Sequence, residues 1–531
     1  MTSQLKPADV GGPAGQVRQA RPARPGAPAR AARWRAAALA ALRRHWLAAA
    51  LLAAGLVLRV LTQLAYRPAL FYIDTTRYLY NAAGMDPVGY KGPLRAILLV
   101  ANFNAVAAVQ HLLGLAMAVV IYLLLLRRGV PRWLAALAIA PVLLDAYQLQ
   151  QEQAVMPGTW FAALIVAGLA ILLWRPRTSW RAVVAGGIVL GTSATFAQVG
   201  EALILPAVIY LLAAGGGWRQ AIGKAAALCG AFALPILAYC TGSYLLSGDF
   251  FLSHSGVTSF YGRMAAAADC ATIALPPAER GMCPSPAQQA LGPDWLEYGP
   301  GSPIRPYYSR LPRDETNRLL ADFNRRVLTQ QPQRVLAAYA RDAAKVFALT
   351  RTGSPGDTPI SRWQFQTAYP YYPPHATEQI VAAATARFGG GTPAVWRPVA
   401  GFLRSYQLGG GYTPGPLLAV CTLAGLAGSA ALLRRRAGPR TRQPALACLL
   451  LFTSGAALLL VSDLFEFSWR YQLPALVTIV PAGALGISII IGSVRSRAGS
   501  PGSVPGHGGP GHGGPGAGGG RGASPAGDAA R

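Results

Sequence analysis

One stretch of the chain carries residue types that group-transfer chemistry needs. It reads Phe71-Tyr72-Ile73-Asp74-Thr75-Thr76-Arg77-Tyr78-Leu79, and Asp86-Pro87-Val88-Gly89-Tyr90 and the cations Lys91 and Arg95 follow. A carboxylate among aromatics can take a proton from an attacking hydroxyl, while a cation nearby stabilises a departing phosphate. Asp74 could equally be a loop cap whose side chain satisfies backbone amides. Spacing alone does not separate the two readings.

The elements that position these residues must suit hydrocarbon. The chain is 53% hydrophobic and 13% charged, with mean hydropathy +0.33, too apolar and charge-poor for an ordinary soluble domain. A net charge of +28 raises the question of nucleic acid. The basic residues, however, fall in short clusters between apolar runs, where loop charge sets membrane orientation. Ten runs approach the roughly 20 residues that a spanning helix needs. They lie near 46–66, 104–126, 133–150, 158–174, 182–198, 200–214, 225–246, 414–433, 445–463 and 473–492. The expected fold is therefore an all-α polytopic membrane protein with about ten transmembrane helices. Arg43-Arg44-His45 runs into the first span without a convincing cleavage site, so that span reads as an uncleaved anchor.

Under this threading the basic clusters share one face, which the positive-inside rule makes cytoplasmic. Both termini are then inside, and 67–103 and 247–413 outside. The acids agree. Of 20 Asp and Glu, eleven lie between Asp249 and Glu378 and two in the tails; the other seven are Asp74, Asp86, Asp145, Glu152, Glu201, Asp463 and Glu466. All seven fall at or beyond the outer helix ends. Ionised groups at membrane depth are costly, so this one-sided ring points to a site; the plainer reading is scarcity of acids in cytoplasmic loops.

The domains follow from composition. Residues 1–45 form a basic, disordered cytoplasmic arm whose first thirty residues could touch anionic lipid, and 46–246 an N-terminal transmembrane module carrying outer loop 67–103. A large outer loop, 247–413, precedes the C-terminal transmembrane helices 414–492, and a Gly/Pro-rich cytoplasmic tail covers 493–531. His507 and His512 in that tail make a poor metal site. Cys270 and Cys283 share the outer loop, where an oxidising compartment permits a disulfide; the other four cysteines sit within spans. From Asp314 to Leu349 apolar residues recur at helical spacing, interrupted at Pro332, and predict amphipathic helices packed on the membrane domain. Flanking Pro/Tyr clusters, including Tyr369-Pro370-Tyr371-Tyr372, suit sugar or lipid-interface contact and plain loop packing equally.

The order of parts resembles the GT-C superfamily of polyprenyl-phosphate-sugar-dependent glycosyltransferases, including the protein O-mannosyltransferase and aminoarabinose transferase branches. The similarity rests on the first outer loop with Asp-x-x-x-Tyr, Gln110-His111-Leu112-Leu113-Gly114, Pro141-Val142-Leu143-Leu144-Asp145, Gln151-Glu152-Gln153-Ala154-Val155-Met156 and Trp469-Arg470-Tyr471-Gln472-Leu473-Pro474. It implies an inverting transfer of sugar from a polyprenyl-phosphate donor to an acceptor hydroxyl of a glycan, lipid or protein, at the outer face of the plasma membrane. Asp74 matches the family's catalytic acid and Tyr78 its companion aromatic. Arg470, with Tyr471 beside it, matches the late Arg-Tyr-x-x-Pro element and would bind the lipid phosphate, aided by Lys91 or Arg95. Asp86 and Glu152 join the substrate-binding set. Thr75 stands where several branches carry a second acid, so no cofactor is implied firmly and a divalent metal stays open. Gly158 stands where many relatives have Glu. Two other classes fit a polytopic chain: a lipid-linked glycan flippase or transporter, whose site belongs near the midplane in repeated halves, and a non-catalytic scaffold. No such repeat is evident, and no Gly-rich loop or cytoplasmic domain suits a nucleotide sugar.

Overall fold

Backbone amides in hydrocarbon must be paired within their own segment, and the apolar runs achieve this as helices. The computed structural model describes residues 36, 39–80, 87–433 and 438–498. Helix α1 (Trp46–Ala65) leads through strand β1 (Tyr66–Arg67) and the short α2 (Thr75–Leu79) to α3 (Lys91–Val100) and α4 (Phe103–Arg127). Helices α5 (Arg132–Leu144) and α6 (Ala146–Gln153) meet at Asp145 with a 50° bend. Then come α7 (Gly158–Leu173), α8 (Trp180–Ala194), α9 (Ile204–Ala214) and α10 (Trp218–Ser247). The long insertion holds α11 (Gly256–Ala267), α12 (Gly292–Tyr298), α13 (Arg313–Gln330), α14 (Pro332–Lys345), α15 (Glu378–Phe388), strand β2 (Ala394–Val395) and α16 (Arg397–Leu408). Helices α17 (Gly415–Ala430), α18 (Pro439–Asp463) and α19 (Ile479–Ala498) close the chain.

Among the described residues the regular structure is helical apart from one two-stranded ladder. Among the described residues six helices are long and apolar enough to cross a membrane, or seven if the bent α5–α6 pair is one span. Helices α7 and α8 and the stretch Gln198–Ala214 are apolar but shorter. At 1.5 Å per residue, the 16 residues of α7 fall short of a hydrocarbon core of about 30 Å. By length and composition the described helices supply six or seven spans, with three shorter apolar segments besides, and do not establish the expected ten.

Small residues let these helices approach closely. A Cβ on Gly191 of α8 would lie 2.0 Å from the Phe232 carbonyl oxygen of α10. The insertion has its own core, where Leu320, Phe323 and Val327 of α13 are fully buried with Tyr261 and Met264 of α11. The first part of the apolar stripe read from Asp314 onward therefore packs within the insertion, while Val346 at its end is buried in the core shared with the membrane helices. Helix α14 reaches them through its Tyr339 hydroxyl, which donates to the Leu460 carbonyl, and α11 through Arg263, which donates to the Asp463 carbonyl at the end of α18. Cys270 and Cys283 form a disulfide. The insertion returns to the first loop through antiparallel pairing of Tyr66 with Val395 and Arg67 with Ala394. Packing divides the chain at Ile490: the first unit holds every feature below, and the second contains the last turns of α19.

Candidate functional site

The turn bearing Asp74 is pinned from below. The Leu70 amide donates to the Gln153 carbonyl and the Val155 amide to the Leu70 carbonyl, at 3.0 and 2.9 Å. Thr75 accepts from the Tyr72 amide and donates to the Val155 carbonyl. From above, the Tyr369 hydroxyl donates to the Ala69 carbonyl. Asp74 occupies the cap position of α2, yet its side chain makes no capping hydrogen bond. Its Oδ1 lies 3.5 Å from Nη1 of Arg77 and its Oδ2 3.7 Å from Nη1 of Arg470, with 18% of the side chain exposed. The cap alternative left open by spacing is thereby removed.

Arg470 reaches Asp74 from the helical turn Trp469–Gln472. Trp469 anchors that turn by donating to the Thr352 carbonyl of the insertion. The Arg470 guanidinium sits 4.7 Å from the ring centroids of both Trp363 and Tyr471 and 5.7 Å from that of Tyr72. Such cation–π stacking orients a guanidinium without neutralising it. Its Nη2 donates to the Tyr471 hydroxyl at 2.8 Å, and its Nε is buried with no partner among the described residues. Tyr72 packs on Trp363 and Tyr372, so the wall of the site is shared between the first loop and the insertion.

Further charges surround this pair. Glu466 accepts from the Thr358 hydroxyl at 3.3 Å. Burial, and then Asp294 nearby, push the Glu466 carboxyl up to about 7, against the pull of Arg470. Asp294 pairs with Arg362 at 3.5 Å, and Arg362 lies against the Tyr72 hydroxyl, which burial raises. Arg362, Trp363, Thr358 and Asp294 had no signal in the sequence; their periodicity is that of an ordinary loop, and only the folded insertion delivers them.

The remaining residues singled out by sequence lie elsewhere. Tyr78 is buried edge-on to Tyr90. Lys91 and Arg95 stand one turn apart on α3, where burial, then the Arg95 charge, lower the Lys91 ammonium. Asp86 lies outside the described residues. Glu152 is fully buried within a separate network: Arg59 of α1 contacts its Oε1 at 2.8 Å, His111 of α4 its Oε2 at 2.9 Å, and Gln148 donates to Oε1 at 3.1 Å. Gly114 makes room for it, since a Cβ there would fall 2.1 Å from Glu152 Oε1. Asp145, another member of the acid ring, is fully buried against Arg351 at 2.8 Å and caps α6 through the Tyr147 amide. The ring therefore does not form one constellation. As for a divalent metal, no group of three or more His, Cys, Asp or Glu among the described residues could hold one, and both Asp74 oxygens face arginines. These residues do not fit such an ion.

No family model and no curated protein matches the chain. Among solved structures, it is similar to the Archaeoglobus fulgidus oligosaccharyltransferase AglB in complex with an inhibitory peptide and a dolichol-phosphate, at 13% identity and TM-score 0.36. It is likewise similar to the apo form of the A. fulgidus oligosaccharyltransferase, at 14% and 0.39. Each match covers 86% of this chain and 52% of the other, so the chain spans about half the length of those proteins.

Proposed function

We propose that the protein is a membrane glycosyltransferase that moves a sugar from a polyprenyl-phosphate donor to an acceptor hydroxyl, with inversion, on the outer face of the plasma membrane. Both termini are then cytoplasmic. One observation carries the reading: a half-buried carboxylate and an aromatic-stacked guanidinium, from remote parts of the chain, stand 3.7 Å apart. A donor phosphate competes with Asp74 for Arg470, whose unpartnered Nε offers a further N–H. Displaced from that contact, Asp74 accepts the proton of the acceptor hydroxyl as its oxygen bonds to the anomeric carbon. The carbon–oxygen bond to phosphate breaks, and the leaving charge falls on the lipid phosphate beside Arg470. Tyr72, Trp363 and Tyr471 hold the guanidinium in place, so little reorganisation is needed as charge develops.

Replacing Asp74 by Asn tests this. In membranes supplied with polyprenyl-phosphate sugars, transfer should fall by roughly 10²–10⁴-fold while the protein elutes and melts as before. Unchanged transfer by folded Asp74→Asn protein would end the assignment.

A further inference from the structure

An open cavity of ≈ 860 Å³ lies where the start of α1 meets the end of α4 and the start of α5. It is remote from Asp74: α1 runs 20 residues, about 30 Å, between His45 at the cavity and the first loop. Arg44, His45 and Arg132 converge on it. His45 is held there by Tyr122, its Nδ1 2.7 Å from the hydroxyl. Buried Val130 closes the apolar floor. Helix α5 begins after Pro131 with no side-chain cap, which leaves its first amides open to an anion.

The rim identifies the anion's source. Trp46 and Trp133 are 65% and 52% exposed, and aromatic rings of this kind settle at headgroup level. Leu137, one turn along α5 from Trp133, is also 49% exposed, so an apolar track leads from the cations toward the hydrocarbon. We infer that this cavity binds the headgroup of an anionic phospholipid, with an acyl chain along Trp133 and Leu137, in the leaflet opposite the Asp74 site. The inference rests on the helices crossing a bilayer and not on the transfer reaction.

The test uses full-length protein in detergent with phosphatidylglycerol, phosphatidylcholine or inorganic phosphate, and native mass spectrometry to count retained lipid. Phosphatidylglycerol should bind, and the double variant Arg44→Gln/Arg132→Gln should weaken it roughly tenfold or more. The control Arg219→Gln removes a cation from the start of α10, outside the cavity, and should change binding less than twofold. Equal retention by the double variant, equal binding of phosphatidylcholine, or displacement by millimolar inorganic phosphate would each overturn the proposal. A second measurement covers a misfolded variant: photoreactive phosphatidylglycerol on the unmodified protein should label peptides containing 44–48 or 129–133. Labelling confined to other peptides would overturn it as well.

Discussion

The Glu152 network permits a sharp test, because a substrate-binding role and a structural one predict different readouts. Its carboxylate has no exposure and pairs with Arg59, itself 2% exposed, inside the helices. Arg59 also donates to the Gly55, Val142 and Leu143 carbonyls, so it ties α1 to the end of α5. Removing one partner of a buried pair leaves an uncompensated charge and costs about 3–5 kcal/mol, whereas replacing both can be close to neutral. Arg59→Met should therefore destabilise by about that amount, and Glu152→Gln by somewhat less because an amide keeps part of the hydrogen bonding. The double variant should be more stable than the sum of the singles implies, with a coupling of about 2 kcal/mol or more. Unfolding can be followed with a thiol-reactive dye, since Cys421 and Cys448 are buried and free. If the two single changes are silent, or simply add, the buried-pair argument is wrong. If instead Glu152→Gln leaves stability intact and raises KM for the donor, Glu152 belongs to the sugar site that the sequence resemblance implies.

Arg470→Lys keeps the charge but loses the planar fork stacked on Trp363 and Tyr471, so transfer should drop by roughly 10²–10³-fold with a small change in stability, measured on membranes of matched expression. Glu466 and Glu297 are raised from 4.5 to about 7 and about 8, mainly by burial. Between the unfolded value and these folded values the native protein holds more protons than the unfolded chain, so stability falls as pH rises from about 4.5 to 8. Glu466→Gln with Glu297→Gln should flatten that decline in melts across the range; an unchanged slope would show that the two are not the groups responsible. The Cys270–Cys283 bond closes a span of 13 residues, and its loss by Cys270→Ser should cost about 2–4 kcal/mol. Faster proteolysis of the insertion without loss of the membrane helices is the expected result.

How much could be read beforehand depended on how local the cause was. Apolar runs and basic clusters act within about 20 residues, so helix positions such as α1, α4 and α10 were legible. The break at Pro332 was legible too, since a proline cannot donate within a helix, and α13 ends at Gln330. Helices α7 and α8 show the limit: their hydropathy suits a span, but a bend at Trp174 and a turn at Thr195–Phe196 end them after 16 and 15 residues. Arg59 was hidden by its apolar neighbours, and nothing near it in sequence announces Glu152. The site divides in the same way. Asp74 and Arg470 could be nominated by type and resemblance, and they lie 3.7 Å apart. Trp363, Arg362 and Asp294 could not, because an exposed-looking loop acquires meaning only when the strand pair Tyr66–Val395 folds it over the first loop.

That same division of the site has a temporal consequence. Asp74 leaves the ribosome about 400 residues before Arg470, a lag of roughly 20–80 s at ordinary elongation rates. Until Trp363 follows, about 290 residues after Asp74, its carboxylate has Arg77 three positions away but neither that wall nor the second arginine. The candidate pair is thus complete only once synthesis has passed Arg470, and a chain terminated before that point would carry Asp74 without its second guanidinium partner.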